Sequence, residues 1–453
     1  MRPGIKRRVK SLTSNKQCRG NPTRQDGLAL LVIIIALALT FTAYYFSSIS
    51  IVKMEVDNLE QSRIALNKAK QALLSYALNY PETMAGLGNP SQGPGNLPCP
   101  DDDLDGDSDT PGSVLPGCNS FGAGTMGRFP WATVLSEELR DGAGELLWYA
   151  VSSNFANFAD RNINSSTTGE ITVRDADGNI RFDGTSIDGV VAVIIAPGQA
   201  LVRNDGLIQS RATALQRDDP QNYLDIAFGE DNASFTNSTT DGFVSGYARD
   251  AAGEIIVNDL VMVITYDELM DLVKTRVARN FEDLINKYYL TCDAYPEASS
   301  FNPTKMTYDS AGMAPPIGGE LRIGHLPLDT AQPVDWGNNC TIGAVTAPAP
   351  VPSNWMIAEG WAGTTLYNFA FQNAPPANGL TCGNGANPPC FTVNNTVPLV
   401  NDAQAIIVFA GRDTTGGNRP SNVLADYFEG ENVDIDDVYD AAEAEDFVKV
   451  ITP

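Results

Sequence analysis

The sequence predicts an α+β protein: a long N-terminal membrane helix continues into an amphipathic helix packed on an antiparallel sheet, and a second, repeated helix-plus-sheet module follows. Three observations predict this fold. An uninterrupted apolar run follows a basic stretch, apolar side chains then recur every seventh residue, and strand-like segments of the first half return in the second. With 453 residues, the chain is long enough for two or three domains.

The apolar run lies between Leu28 and Phe46 and contains no Asp, Glu, Lys or Arg. A helix rises about 1.5 Å per residue, so the run approaches the thickness of a hydrocarbon core and predicts a membrane helix over residues 28–50. Many basic residues and the single acid Asp26 precede it, which predicts that residues 1–27 stay in the cytoplasm and the rest is exported. An ordinary secretory signal is the alternative, but its apolar core is usually shorter.

An amphipathic helix is predicted over residues 51–79, as the first element of a module that extends to residue 266. Apolar side chains recur every seventh residue, and charged residues stand between them. A free-standing coiled coil would need a longer run of heptads. Pro81 is expected to end the helix. The recurring apolar residues are Val52, Leu59, Leu66, Leu73 and Tyr80.

A loop rich in Gly, Pro, Asn and Asp follows over residues 82–127. It contains the pattern D-x-D-x-D-G-x-x-D, in which alternate carboxylates around a Gly turn can converge on calcium, as in an EF-hand loop. Gly112 stands where an EF-hand has its bidentate Glu, so another segment or water would complete the shell. A solvated acidic loop is the alternative. The predicted calcium ligands are Asp101, Asp103, Asp105, Asp107 and Asp109.

Six of the seven cysteines follow the predicted membrane helix, and an even number there fits a disulfide framework in an oxidising compartment. The sequence leaves many pairings open, but chain order and loop context favour neighbours. A zinc site is poorly supported because Cys-x2-Cys spacing is lacking. The favoured pairs are Cys99 with Cys118, Cys292 with Cys340, and Cys382 with Cys390.

The sheet of the first module is predicted over residues 128–266, including a hairpin over residues 170–185, and its segments have partners in the second half. Four matches in the same order indicate an internal repeat, with loops of different length between them. They pair residues 142–149 with 360–367, 191–196 with 405–410, 224–225 with 425–426, and 259–265 with 446–452.

The second module is predicted over residues 267–453, with a helix over 267–290, a loop region over 293–350 and a sheet over 355–453. Asp267 and Glu268 suit a helix N-terminus. The acidic stretch 429–445 predicts a solvated face, and a cation site is the alternative. One apolar face of the helix and two tryptophans are expected in the core: Leu269, Val273, Val277, Phe281, Leu284, Tyr288, Trp355 and Trp361.

Catalytic patterns are scarce. His325 is the single histidine, so Ser-His-Asp or Cys-His catalysis would depend on it alone, and we expect it to be structural. Phosphate-binding and dinucleotide-binding loops are lacking. The formal net charge of −25 argues against nucleic acid or anionic lipid as a partner.

The N-terminus resembles the class III leader of type IV prepilins and type II secretion pseudopilins. A basic leader ends in Gly27, an apolar helix follows at once, and an amphipathic helix continues it. The resemblance implies cleavage by a prepilin peptidase after Gly27 and methylation of Leu28. Most family members carry Glu at the fifth mature position, where this chain has Val32. The missing Glu resembles the large minor pseudopilin at a filament tip.

The resemblance therefore implies a non-enzymatic minor pilin or pseudopilin-like subunit of a type IV pilus or type II secretion-type filament. Its expected partners are other subunits through the N-terminal helix, the prepilin peptidase, the inner membrane and a secreted substrate. Its expected location is the bacterial inner membrane as a single-pass protein with a periplasmic bulk, and the filament or cell surface after assembly. One alternative is a membrane-tethered periplasmic calcium-dependent binding protein, and another is a periplasmic hydrolase.

Overall fold

A computed structural model gives the architecture of the chain. It describes residues 25–86, 92–101, 126–157, 162–235, 241–292, 295–296, 298, 301, 321–326, 354–370, 390–413, 419, 421, 423–433, 438–442 and 445–452. Contacts between Cα atoms divide the chain into two compact units, Met1–Leu59 and Glu60–Pro453. Within the second unit, we call residues 60–264 the first half and residues 266–452 the second half.

The helices are α1 (Gln25–Gly86), α2 (Ala214–Asp218), α3 (Tyr266–Cys292) and α4 (Asn354–Ala358). The strands of the first half are β1 (Met126–Arg128), β2 (Trp148–Val151), β3 (Thr172–Arg174), β4 (Ile180–Phe182), β5 (Ala192–Ala196), β6 (Ile226–Ala227), β7 (Glu230–Asp231), β8 (Gly242–Val244), β9 (Ala248–Arg249), β10 (Ile255–Val257) and β11 (Leu260–Ile264). Those of the second half are β12 (Leu321–Gly324), β13 (Thr365–Ala370), β14 (Phe391–Asn394), β15 (Val400–Ala403), β16 (Ala405–Phe409), β17 (Val438–Asp440) and β18 (Phe447–Ile451).

The predicted fold class is wrong in its membrane helix. Among the residues described, no helix combines the length and the apolar character that crossing a bilayer requires. The part of the predicted span whose side chains are described, from Leu30 to Phe41, would rise only about 18 Å as a helix, against about 30 Å for a hydrocarbon core. The described chain is instead a mixed α and β structure in which sheets predominate.

Pro81 does not end α1, contrary to the prediction, because the helix continues to Gly86. Proline has no N–H, so the carbonyl of Ala77 loses its usual partner within the helix. The backbone N–H of Gly95 donates to that carbonyl instead, at 2.9 Å. The loop after the helix therefore supplies the hydrogen bond that proline removes, and the last turn persists.

The main sheet of the first half has the strand order β1-β2-β5-β11, and all its neighbours are antiparallel. Its central strand β5 is a run of small and β-branched residues, and each of its five side chains is buried. Both faces of such a strand must therefore be covered. Tyr149 and Ile194 point to the same apolar core as the two long helices, whereas Trp148 and Ile195 belong to a core on the opposite face.

The main sheet of the second half repeats this arrangement as β12-β13-β16-β18, again antiparallel throughout. Leu260 of β11 lies opposite Ala196, and its counterpart Phe447 of β18 lies opposite Phe409. Strands β11 and β18 lie within the matched stretches 259–265 and 446–452, and they therefore occupy equivalent positions in the two main sheets. The sequence match aligned residue 191 with residue 405. In the two sheets Ala192 holds the position that corresponds to Ala405, so this match is displaced by one residue.

A smaller sheet accompanies each main sheet, in the orders β4-β3-β8 and β15-β14-β17. In both, two antiparallel strands are extended by a parallel third strand. The hairpin predicted over residues 170–185 is confirmed by the pairing of β3 with β4. Phe243 of β8 and Tyr439 of β17 each belong to the core that covers the outer face of the neighbouring main sheet. The small sheets thus bury the side of each main sheet that the helices leave open.

The inner faces of both main sheets share one hydrophobic core with α1 and α3. On the predicted face of α1, Leu66, Leu73 and Tyr80 are buried, Leu59 is half-buried and the side chain of Val52 is not described. The predicted apolar face of α3 is confirmed, because each of its residues is buried. Phe281 of α3 meets Phe409 of β16 edge to face, with ring centroids 5.5 Å apart. The predicted module boundary at residues 266 and 267 thus separates two stretches of sequence whose apolar faces meet in one core.

We predict that Leu73→Ala lowers the free energy of unfolding by about 2–5 kcal/mol, because it leaves a cavity where both halves meet. Denaturant unfolding followed by circular dichroism and by tryptophan fluorescence measures the effect. The control is Leu290→Ala on α3, since Leu290 is 82% exposed and its loss should change stability by about 0.5 kcal/mol or less. Equal effects of the two variants would contradict the shared core.

Candidate functional site

A buried acid–amide corner lies at the start of β11 in the first half. The Oδ2 atom of Asp259 accepts hydrogen bonds from the backbone N–H of Asp225 and from Nδ2 of Asn232, each at 2.8 Å. Asn232 also exchanges two hydrogen bonds with the backbone of Val244, both at 2.8 Å. In return, Oδ2 of Asp225 accepts from the backbone N–H of Asn258 at 2.7 Å. The corner fastens the loop around Asp225 to two strands.

The second half contains the same corner. The Oδ2 atom of Asp446 accepts from the backbone N–H of Glu429 and from Nδ2 of Asn432, each at 3.1 Å. Asn432 exchanges two hydrogen bonds with the backbone of Asp440, at 2.9 and 3.1 Å. Each half therefore repeats one acid that accepts a backbone N–H and one amide that fixes a strand: Asp259 with Asp225 N–H and Asn232, and Asp446 with Glu429 N–H and Asn432.

An arginine beside each corner repeats as well. Arg211 donates from Nη1 to the carbonyl of Gly198 at 3.0 Å, and its guanidinium lies 4.4 Å from the ring centroid of Tyr223. Arg419 donates from Nη1 to the carbonyl of Gly411 at 2.7 Å, and its guanidinium lies 5.0 Å from the ring centroid of Tyr427.

These contacts correct one sequence match. Residues 224–225 were matched with 425–426, but by hydrogen bonding the counterpart of Asp225 is Glu429. The hairpin of β6 and β7 lies between Asp225 and Asn232, whereas Glu429 and Asn432 are joined by a short helical turn. The inserted hairpin in the first half shifts the sequence register, so a match by residue type alone selects the wrong acid.

The two acids of each corner hold a proton more tightly than isolated carboxyls. Burial raises the pKa of Asp259 well above its usual value, and the nearby carboxyl of Asp225 raises it further. Burial likewise raises the pKa of Asp225 to about 6. In the second half, burial and then the charge of Asp446 raise the pKa of Glu429 to about 7. Two neighbouring carboxyls cannot both ionise cheaply, so each corner favours a state that retains a proton on the pair.

The predicted calcium loop lies largely outside the described residues, which include Asp101 but not Asp103, Asp105, Asp107 or Asp109. Asp101 is 3% exposed, and its backbone exchanges two hydrogen bonds with that of Arg128, at 2.8 and 2.9 Å. In the part of the chain that the structure describes, His, Cys, Asp and Glu form no group of three or more that could hold a metal ion. Calcium binding by the loop stays a prediction.

Of the predicted disulfide cysteines, Cys99 and Cys390 are each disulfide-bonded. Their expected partners, Cys118 and Cys382, lie outside the described residues, as does Cys340. Cys292 is the last residue of α3, and its side chain is not described. The predicted pairing therefore stays a prediction.

The predicted cleavage residues Gly27 and Leu28 lie in the first turns of α1, where side chains are not described. The large apolar residues that follow are exposed, with values from 50% for Ile35 to 71% for Phe41. Contiguous apolar surfaces of this kind are found at protein–protein and membrane interaction sites. Its exposed members are Leu30, Leu31, Val32, Ile33, Ile34, Ile35, Leu37, Leu39 and Phe41.

His325 is a buried residue just after β12. Its Nδ1 atom donates to the carbonyl of Thr365 at 2.9 Å, and its ring stacks on Phe301 with centroids 4.4 Å apart. Burial lowers the pKa of His325 to about 4, so the imidazole is neutral at physiological pH. Trp355 and Trp361 are also buried, which confirms their predicted place in the core.

Sequence reasoning missed the acid corners, although a signal was present. Asp259 and Asp446 are the first residues of the strongest sequence match, and an acid that returns before a strand in both halves is a candidate for a repeated structural role. The acidic stretch 429–445 was predicted to be a solvated face, but it begins with Glu429, which is half-buried, has an inaccessible Oε2 atom and lies beside the buried Asp446.

Comparisons of the chain with protein-family models, with curated proteins and with solved structures found no match. The resemblance to pilins and pseudopilins therefore stays a prediction from the N-terminal residues.

We predict that Asp259→Asn becomes more stable relative to the wild type as the pH rises. A raised pKa means that stability is fully present below the unfolded-state value of about 4 and is lost as the pH rises through the folded-state value. Asparagine cannot ionise, so the variant does not lose this stability. Relative to the wild type, its free energy of unfolding should rise by up to about 1.4 kcal/mol per pH unit. Chemical denaturation between pH 4 and 7 measures it, with the exposed Asp177→Asn as the control. Parallel stability profiles for Asp259→Asn and the wild type would contradict the assignment.

Proposed function

We propose that the protein is a structural subunit of a type IV pilus or type II secretion-type filament, of the minor, tip-located kind. The observation that carries the proposal is the exposed apolar segment of α1 from Leu30 to Phe41. The predicted membrane anchorage forms no part of this proposal.

The segment is apolar on every side. Positions 30 to 39 are all Leu, Val, Ile or Ala, so that apolar residues cover all directions around the helix axis instead of one stripe. A single groove covers one face of a helix, whereas a bundle of similar helices covers all of them. The occupant that fits is therefore a set of apolar N-terminal helices from other filament subunits.

Size and charge favour a terminal place for the subunit. Residues 60–453 form one compact unit much larger than one helix-plus-sheet module, and the chain carries a formal net charge of −25. Identical acidic units placed side by side along a fibre would repel one another. One copy at the end of a filament avoids both the crowding and the repulsion.

The proposal places the compact unit outside the cytoplasm, in the periplasm or, after assembly, at the cell surface. Cys99 and Cys390 are disulfide-bonded, and such bonds persist in oxidising compartments. Cleavage after Gly27 and methylation of Leu28 belong to the proposal, since they would free the apolar segment to start the mature chain.

We predict that Ile34→Glu removes the protein from filaments, because a buried charge would disrupt a bundle of apolar helices. The measurement is the amount of the protein in filaments sheared from the producing cells, and a loss of tenfold or more is expected. Leu215→Glu is the control, because Leu215 is 85% exposed but lies on α2.

The same preparations give the N-terminal peptide by mass spectrometry, and the expected peptide begins at methylated Leu28. Undiminished recovery of Ile34→Glu, or an N-terminus upstream of Gly27 in filament-bound protein, would contradict the proposal.

A further inference from the structure

Glu359 joins the two halves of the compact unit. It directly follows α4 and is 2% exposed. Its Oε1 atom accepts a hydrogen bond from the backbone N–H of Gly93 at 2.5 Å, and its carbonyl accepts from Nδ2 of Asn164 at 2.7 Å. Both donors belong to the first half, so one residue of the second half receives two hydrogen bonds across the boundary.

The loop that contains Gly93 packs closely against the carboxyl group of Glu359. A Cβ atom added at Gly93 would overlap the carboxyl of Glu359, so a larger residue there would displace the carboxyl from its present position. Asn96 donates from Nδ2 to the carbonyl of Gly93 at 3.1 Å, and Gly95 donates to the end of α1 through Ala77. The carboxyl of Glu359 therefore contacts a loop that is itself tied to the helix of the first half.

The described groups that face the carboxyl of Glu359 are uncharged. They are the backbone N–H of Gly93, the indole of Trp361 on its own side, and the phenol of Tyr80 from α1. Within the described part of the chain, no lysine or arginine is among these groups. A carboxylate in this position would lack a counter-ion, and the one N–H that donates to Oε1 does not replace its hydration, because Oε2 receives no hydrogen bond from the described residues.

We propose that Glu359 is a proton-dependent latch: its neutral carboxyl holds the Gly93 loop against the end of α4, and loss of the proton to solvent weakens this contact. The latch concerns the joint between the halves and does not depend on the proposed function. Burial raises the pKa of Glu359 to about 8, and the N–H donors lower it only in part. The latch is therefore closed in acidic and neutral solution and opens in mildly alkaline solution.

The test compares Glu359→Gln with the wild type in denaturant unfolding between pH 5 and 9. Glutamine mimics the neutral acid, and the unfolded carboxyl begins to ionise near pH 4.5, so the two proteins should have unfolding constants within about fivefold of each other at pH 5. As the pH rises to about 8, the wild type should lose stability relative to the variant by up to about tenfold per pH unit. Glu254→Gln, at an exposed position, should follow the wild type throughout.

A constant difference between Glu359→Gln and the wild type across this pH range would overturn the proposal. If the variant fails to fold, amide hydrogen exchange of the wild-type chain at pH 6 and pH 9 decides, after correction for intrinsic exchange rates. Protection should fall at pH 9 in residues 92–98 and 354–361 and persist in the central strands β5 and β16. Unchanged protection of residues 92–98 and 354–361 would overturn the latch.

Discussion

The apolar layer formed by α1 and α3 is the constraint on which the compact unit depends. One face of each main sheet packs against these helices, and the buried residues of both sheets and both helices belong to one cluster. A helix-plus-sheet module alone would expose part of this surface to water. Exposed apolar surface costs about 25 cal/mol per Å². The two halves therefore fold together, although the sequence reads as two modules.

Repetition explains how polar groups are placed around this core. Each half uses a buried acid at the start of its last strand to receive a backbone N–H and an asparagine amide. The amide in turn fixes the edge of the smaller sheet through paired hydrogen bonds. Loops change length between the halves, but these bonds persist because a buried polar group without a partner is costly. Asp225, Asp259, Asp446 and Glu359 are buried acids, and burial raises the pKa of each.

Short-range spacing in the sequence predicted much of the architecture. The features that depend on contacts between distant residues could not be predicted in this way. The heptad positions of α1, the apolar face of α3 and the returning strands could all be read from spacing, because burial imposes a period on the sequence. The continuation of α1 beyond Pro81 could not be predicted from spacing. The N–H that replaces the hydrogen bond lost at Pro81 belongs to Gly95, which lies beyond the helix end. Glu359 could not be predicted either, since its environment depends on Gly93, 266 residues away. The membrane helix was predicted from an apolar run longer than the stretch whose side chains the structure describes.

If both halves depend on one core, their central elements must open together. Native-state amide hydrogen exchange under increasing denaturant measures the free energy of opening of each element. The account predicts that the buried turns of α1 beyond residue 60, the centre of α3, and strands β5 and β16 lose protection together, at one free energy of opening. Opening of β16 and its neighbours while α1 and β5 stay protected would contradict it, because each half would then have a core of its own.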